Sequence, residues 1–169
     1  PALAKARLNF AEVASPAAFE RNIKLAWGFY GHRLALYRNT IPHQGFEILK
    51  RWGQAAPKGY SIFTSNVDGQ FQKAGFDANR IYECHGSIHH LQCLEPCADD
   101  IWNADAFMPE INAEKCLLTN TPPHCAKCDG YARPNILMFG DWGWVSARSK
   151  RQAERLSDWL AQTKSPVVI

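Results

Sequence analysis

Two short polar stretches carry the residue types best suited to chemistry: Thr64-Ser65-Asn66-Val67-Asp68-Gly69 and His85-Gly86-Ser87. Each follows a short apolar run, Tyr60-Ser61-Ile62-Phe63 and Ile81-Tyr82-Glu83-Cys84, and both runs read as buried strands. Polar groups just past the carboxyl ends of strands sit where open α/β sheets bind ligands. An amide, a carboxylate, an imidazole and hydroxyls can donate, accept and carry protons around a bound molecule. The same residue types are also the standard turn formers, so two ordinary loops are the alternative.

A second constellation is of metal-binding type. Cys93-x3-Cys97 and Cys125-x2-Cys128 are separated by 27 residues. Two cysteine pairs on separate knuckles suit a closed, four-coordinate structural zinc site, and such a site has no open position for catalysis. The gap in the first pair is one residue longer than the usual two, and Cys116, His124, His89 or His90 could replace a ligand. Cys84, alternating with strand residues, reads as a small core residue. A third candidate is Tyr30-x-x-Arg33. On a helix, positions i and i+3 share a face, so a phenol and a guanidinium could converge on one carboxylate.

The elements that must position these groups follow from periodicity and punctuation. Residues 1–15 are Ala-rich and weakly patterned, suggesting loop or frayed helix. Ser15-Pro16 starts a helix that runs to about Asn39, with Gly28 and Gly31 as a possible junction. Gln44 to Trp52 is a second helix stopped by Gly53. Gln70 to Ala74 is one helical turn, and Ile88 to Cys93 a short strand. Residues 93–134 are loop-rich and look like a small module held by something other than a large core. Asn135 to Phe139 is a strand, Val145 to Thr163 an amphipathic helix, and Pro166 to Ile169 a strand entering a sheet. Trp27, Trp52 and Trp159 lie on helix faces and are expected in the core, while Trp142 and Trp144 either line a cleft or pack between domains. Strands alternating with helices predict an α/β fold, a parallel sheet with helices on both faces.

The bulk properties exclude several classes. An apolar fraction of 46% with 21% charged residues over 169 residues is the profile of one soluble globular domain. No run approaches the roughly 18 apolar residues of a membrane span, and no signal peptide is evident. The net charge is +3. Four thiolates around one zinc would add about −2 and bring it near +1, so neither nucleic acid nor a membrane surface is an expected partner. Cysteines with metal-like spacing predict a reducing compartment, the cytoplasm. The chain opens at Pro1 rather than Met, and the expectation is a portion of a longer protein.

The motifs occur in an order that resembles the sirtuins, NAD-dependent protein lysine deacylases. They are Thr64 to Gly69, Lys73-Ala74-Gly75, His85-Gly86-Ser87, the two cysteine pairs, and Arg133-Pro134-Asn135-Ile136-Leu137-Met138-Phe139-Gly140-Asp141. Each is weak alone, but five in register are specific. The resemblance covers roughly the middle two-thirds of a sirtuin core. It implies a Rossmann-like NAD-binding domain from 1–86 and 135–169, incomplete at both ends, and a small zinc-ribbon module at 87–134. It implies NAD as cofactor, structural zinc on Cys93, Cys97, Cys125 and Cys128, and an acyl-lysine protein as partner. His85 would be the general base acting on a ribose hydroxyl; an imidazole titrates near neutrality and accepts that proton when neutral. Ser65, Asn66 and Asp68, with His85, would contact NAD. Phe139, Gly140 and Asp141 would pair with the substrate backbone by strand addition. Tyr30 and Arg33 resemble the subgroup that removes succinyl, malonyl or glutaryl groups, although bacterial members with this pattern also remove acetyl.

There are departures. Ser65 stands where the family usually has Gln, and Asn135 and Asp141 replace the more usual Asp and Glu. The Gly-Ala-Gly phosphate loop is expected before residue 1 and a Gly-Thr-Ser stretch after Ile169. A glycine-opened helix N-terminus is what holds a pyrophosphate, so the fragment alone is not expected to be active. Mono-ADP-ribosyl transfer and a non-catalytic NAD-sensing module are the competing functions, and His85 speaks against both.

Overall fold

The computed structural model describes residues 9–169. Most of the stretch read as weakly patterned, 1–8, lies outside the described residues. Helix α1, Phe10–Val13, opens with a capping box: Asn9 Oδ1 accepts from the Glu12 amide at 2.9 Å, and the Glu12 carboxylate accepts from the Asn9 amide at 2.9 Å. Helix α2, Pro16–Arg21, carries its Pro at the first helical position as expected. The break that follows falls at Asn22, not at Gly28 or Gly31. Asn22 is extended (φ −156°) and its side chain accepts from the Leu25 amide at 3.0 Å, starting α3, Ile23–Asn39. Both glycines stay inside α3 because the chain passes close by. A Cβ on Gly28 would lie 1.9 Å from the Cys116 carbonyl oxygen, and one on Gly31 would lie 2.8 Å from Pro109. Gly53 likewise does not stop its helix. Helix α4 is Gln44–Ala55, and Gly53 sits against the Tyr60 ring.

Strands β1, Ile62–Thr64, and β2, Ile81–Glu83, pair in parallel with Ile62 opposite Ile81. Their crossover contains the short helix α5, Gln70–Lys73, and a 3₁₀ turn, Ala78–Arg80. Among the described residues the parallel part comprises these two strands. A second sheet is antiparallel, in the order β4-β3-β7: β3 is Gly86–Cys93, β4 Ile101–Asn103 and β7 Ala132–Ile136. The register shifts between Ser87 and Leu91, opposite Pro134, which has no amide to give the ladder. The small ladder of β5, Ile111–Asn112, and β6, Leu117–Leu118, lies against α3.

The strand expected at Asn135 to Phe139 is thus displaced towards the N-terminus. Its far end leaves the sheet because the Met138 amide donates to the Asp141 carboxylate at 3.2 Å and the Phe139 amide to the Ala14 carbonyl at 3.0 Å. The last helix, α6, is Ala147–Ala161. Its buried side is polar: Ser149 Oγ donates to the Glu83 carbonyl at 3.0 Å, and Gln152 Oε1 accepts from the Glu83 amide at 3.1 Å. Residues 166–169 form no strand; Val167, Val168 and Ile169 are more than four-fifths exposed.

The core lies between α3 and the antiparallel sheet. Trp27, Tyr30 and Leu34 from α3 meet Phe19, Ile88, Leu91, Leu118, Ile136 and Met138. Trp27 is fully buried and donates its indole N–H to the Ala132 carbonyl at 3.0 Å. Residues 93–134 share this core through Ala104 and Leu118 as well as having the cysteine cluster. Trp52, expected in the core, is 58% exposed, because α4 buries none of its residues. No helix of the described residues is long and apolar enough to cross a membrane.

Candidate active site

The two polar stretches are neighbours by backbone bonding. The Cys84 amide donates to the Thr64 carbonyl and the Ile88 amide to the Val67 carbonyl, each at 3.0 Å. Parallel pairing of β1 and β2 is thereby prolonged past the strand ends, and the loop carrying Ser65, Asn66 and Asp68 is fixed against the turn carrying His85. Ser65, Asn66 and His85 are exposed. Asn66 donates its amide to Thr64 Oγ1 at 3.1 Å, which leaves its side chain free to face a ligand. Asp68 is more committed, since Oδ1 accepts from the Gln70 amide at 3.0 Å and starts α5. Gly69 has a left-handed φ of 68°, and a Cβ there would meet the His89 ring at 2.7 Å. His89 Nε2 in turn bonds the Asp68 carbonyl at 2.9 Å.

The segment after β7 joins this group. The Leu137 amide donates to the His85 carbonyl at 3.0 Å. Gly86, at φ 78°, allows the approach, since a Cβ would lie 2.1 Å from the Asn135 carbonyl oxygen. Phe139 is 56% exposed, Trp142 99%. Asp141 behaves differently: its side chain is fully buried and bidentate with Arg133 at 2.7 and 2.8 Å. Its carboxylate is therefore not presented to solvent. Asn135 is also internal, donating to Gln92 Oε1 and to the Val145 carbonyl, each at 2.9 Å.

Tyr30 and Arg33 share α3 and have different contacts. Tyr30 is 5% exposed and stacks on Phe19 with centroids 5.6 Å apart; burial holds its phenol above the ordinary value, against the opposing pull of Arg133 and Arg33. Arg33 lies over the Phe29 ring at 4.4 Å and donates to the Tyr37 hydroxyl at 3.3 Å.

The four cysteines come together as the spacing predicts. Cys93 and Cys128 sulfurs are 3.5 Å apart, Cys97 and Cys125 sulfurs 3.6 Å, and all four lie within 4.8 Å of one another. Zinc–thiolate bonds of about 2.3 Å in a tetrahedron put sulfurs roughly 3.8 Å apart, so the donor set fits zinc. The backbone prepares one ligand: amides of Lys127 and Cys128 pull the Cys125 thiol down to about 7. Crowding acts the other way on Cys97, which its hydrogen bond to Cys128 pushes up to about 12. Four sulfurs this close cannot all ionise without a cation among them. The alternatives are elsewhere: Cys116 stands apart from the cluster, and His124 Nδ1 bonds the Asp129 carbonyl at 2.7 Å.

Sequence reasoning missed Arg133. The signal present was a lone cation inside a short strand, eight residues before an aspartate. It also missed the ion pair between buried Glu83 and Arg148, which fastens α6 to the end of β2.

A parallel βαβ unit that feeds an antiparallel sheet, with polar loops at its strand ends and a four-cysteine cluster able to hold zinc, defines an α/β protein. A profile of the Sir2 family matches residues 5–157, and the chain belongs to that family. An NAD-dependent protein deacylase of Aquifex aeolicus (strain VF5) is 36% identical over 139 residues, covering 82% of this chain and 52% of that protein. The chain spans about half the length of the curated relatives it matches. A Sir2 homologue in complex with NAD superposes at a TM-score of 0.64, with 24% identity over 88% of this chain and 54% of that one. A Sir2 protein bound to an acetylated peptide superposes at 0.58, with 20% identity over 77% of this chain and 50% of that one. At these identities the two structures establish the shared fold.

Proposed function

We propose that the protein is an NAD-dependent protein lysine deacylase, and that this chain supplies the part of its active site that handles the nicotinamide ribose and the acyl-lysine. The observation that carries the reading is the pair of backbone bonds locking the Asn66 loop to the His85 turn, in a chain of the Sir2 family. Bound NAD would supply an anomeric carbon for the acyl oxygen to attack as nicotinamide leaves. His85 then takes the proton of a ribose hydroxyl, and its exposure leaves the imidazole accessible for this task. Asn66 orients the carboxamide or a water, since an amide both donates and accepts, while Ser65 and Asp68 accept from the ribose. The ribose oxygen so freed would add to the acyl carbon, and one water would enter as the bond from that carbon to the lysine nitrogen breaks, so that the products are nicotinamide, O-acyl-ADP-ribose and the free lysine.

The acyl-lysine peptide lies along Phe139 and Gly140, and backbone rather than the Asp141 carboxylate meets it. Tyr30 and Arg33 line the acyl end. An acidic acyl group would have to draw Arg33 away from Tyr37, so succinyl is a second substrate beside acetyl. Cys93, Cys97, Cys125 and Cys128 hold structural zinc. Residues 87–134 form the zinc module, inserted between residues 1–86 and 135–169 of the nucleotide-binding domain. Reduced thiols at the metal centre fit a cytoplasmic setting.

The test is release of nicotinamide from NAD by the full-length protein, with acetyl- and succinyl-lysine peptides compared. Release that depends on peptide and is lost in His85→Ala is the expected result. No release with either peptide overturns the reading.

A further inference from the structure

The Arg133–Asp141 pair is the least exposed charged pair of the described residues, both side chains being fully buried. Removing two charges from water is costly, and such a pair persists only where its geometry and additional hydrogen bonds compensate. Here the compensation is specific. Besides the two guanidinium bonds, the Asp141 carboxylate accepts from the Met138 and Gly143 amides, each at 3.2 Å. One anion thus gathers both ends of the loop 138–143. Its cation is anchored in β7, opposite Gln92 of β3. Gln92 reinforces the arrangement from the other side, donating Nε2 to the Gly143 carbonyl at 2.8 Å and accepting from the Val145 amide at 3.0 Å.

The geometry has a consequence for the surface. With Asp141 turned inward and Gly140 at a left-handed φ of 65°, Phe139 and Trp142 are turned outward. We propose that Arg133 and Asp141 are positioning residues that hold the 138–143 loop as a fixed platform for the backbone of the acyl-lysine peptide. They act through the loop and do not touch the peptide. The inference rests on the deacylase reading above.

The test uses the full-length protein, with KM measured separately for peptide and for NAD. Asp141→Asn keeps the shape but removes the charge, and is expected to raise the peptide KM roughly tenfold while the NAD KM changes less than twofold. The double variant Arg133→Met with Asp141→Leu removes the buried charges together, which such sites tolerate best, and is expected to show the same split. Leu118→Ala weakens the core away from the loop and controls for stability; it should move neither KM. Peptide KM values within twofold of the unaltered protein in both loop variants would overturn the proposal, as would parallel rises in peptide and NAD KM. Should the loop variants not fold, hydrogen exchange of the unaltered protein decides. Protection at the Met138 and Gly143 amides comparable to that of β7 supports the platform, and exchange as fast as that of Trp142 refutes it. Absence of nicotinamide release by the unaltered protein is a different outcome and strikes the underlying reading.

Discussion

Within these 169 residues the antiparallel part and the parallel part are packed to different degrees. Around β3 and β7, Trp27, Leu34, Ile88 and Ala132 are completely buried, and the polar residues Gln92, Arg133 and Asn135 are enclosed too, Asn135 bonded to Gln92 and Arg133 to Asp141, although Arg133 Nε and Asn135 Oδ1 have no partner among the described residues. Around β1 and β2 the packing is thin. Helix α4 buries nothing, Phe63 is 63% exposed and Leu160 of α6 44%. Yet the residues proposed for catalysis, Asn66, Asp68 and His85, stand on the ends of the thin half. The dense half carries the four-cysteine cluster and the loop proposed to hold the substrate. Within this chain, which spans about half the length of its relatives, a tightly packed frame carries one wall of the site, and the strand pair, more exposed here, is pinned to it by a few backbone bonds.

The largest effect should come from the metal. Stripping zinc with a chelator, or replacing Cys125 with Ser, removes a centre of the kind that contributes on the order of 10 kcal/mol in small zinc domains. The expected outcome is one zinc per chain by elemental analysis, and loss of near-UV circular dichroism on chelation. Retention of that signal after complete zinc removal would show that the shared core with α3 suffices to hold residues 93–134. Next comes the core itself. Trp27→Ala should lower stability by about 3–5 kcal/mol, because it empties a fully buried site and orphans the Ala132 carbonyl. A loss under about 1 kcal/mol in urea unfolding would dissolve the contrast between the halves.

A pH dependence of intermediate size separates them further. His90 of β3 lies where burial, then Arg148 and His89, push its imidazole down to about 4, against the opposing pull of Glu83 and Asp105. The unfolded chain takes up this proton near pH 6.5, the folded protein only near 4. Folding is therefore unpenalised by His90 above pH 6.5 and increasingly opposed as pH falls from 6.5 to 4, by up to on the order of 3 kcal/mol. Urea midpoints at pH 7.5, 5.5 and 4.5 should fall more steeply for the unaltered protein than for His90→Gln. Parallel lines would show that the imidazole is hydrated in both states.

Much of this was readable from residue types alone, and the failures have a common cause. The cysteine cluster was legible because ligand spacing is set locally, by the knuckle turns. The strand ends at Thr64 and Glu83 were legible because short apolar runs stop at turn residues. Gly28 and Gly53 were misread as punctuation because their reasons, the Cys116 carbonyl and the Tyr60 ring, are distant in sequence. The inward turn of the Asp141 side chain was not legible, because nothing local reveals that a buried Arg133 claims it. Tyr30 and Arg33 share a helix as their spacing predicts, while the contacts of the guanidinium with the Phe29 ring and the Tyr37 hydroxyl depend on packing that spacing does not reveal. In each case periodicity gave the element and a tertiary contact gave the role.

The smallest predicted effect is the most informative about the thin half. Trp52 of α4 is 58% exposed, so replacing it with Ala in the 169-residue chain removes little buried surface. Its stability should change by less than about 0.5 kcal/mol, the usual range for exposed sites, against the several kcal/mol expected at Trp27. The two substitutions delete the same side chain, so the difference between them measures environment alone. A loss at Trp52 approaching that at Trp27 would mean that α4 is covered in solution, by a second copy or by its own chain, and that the parallel half is as well packed as the frame. An unchanged midpoint, together with the steep loss at Trp27, places the cohesion of this molecule in α3 and the antiparallel sheet. His85 and Asn66 would then depend on the two backbone bonds from Thr64 and Val67 for their alignment.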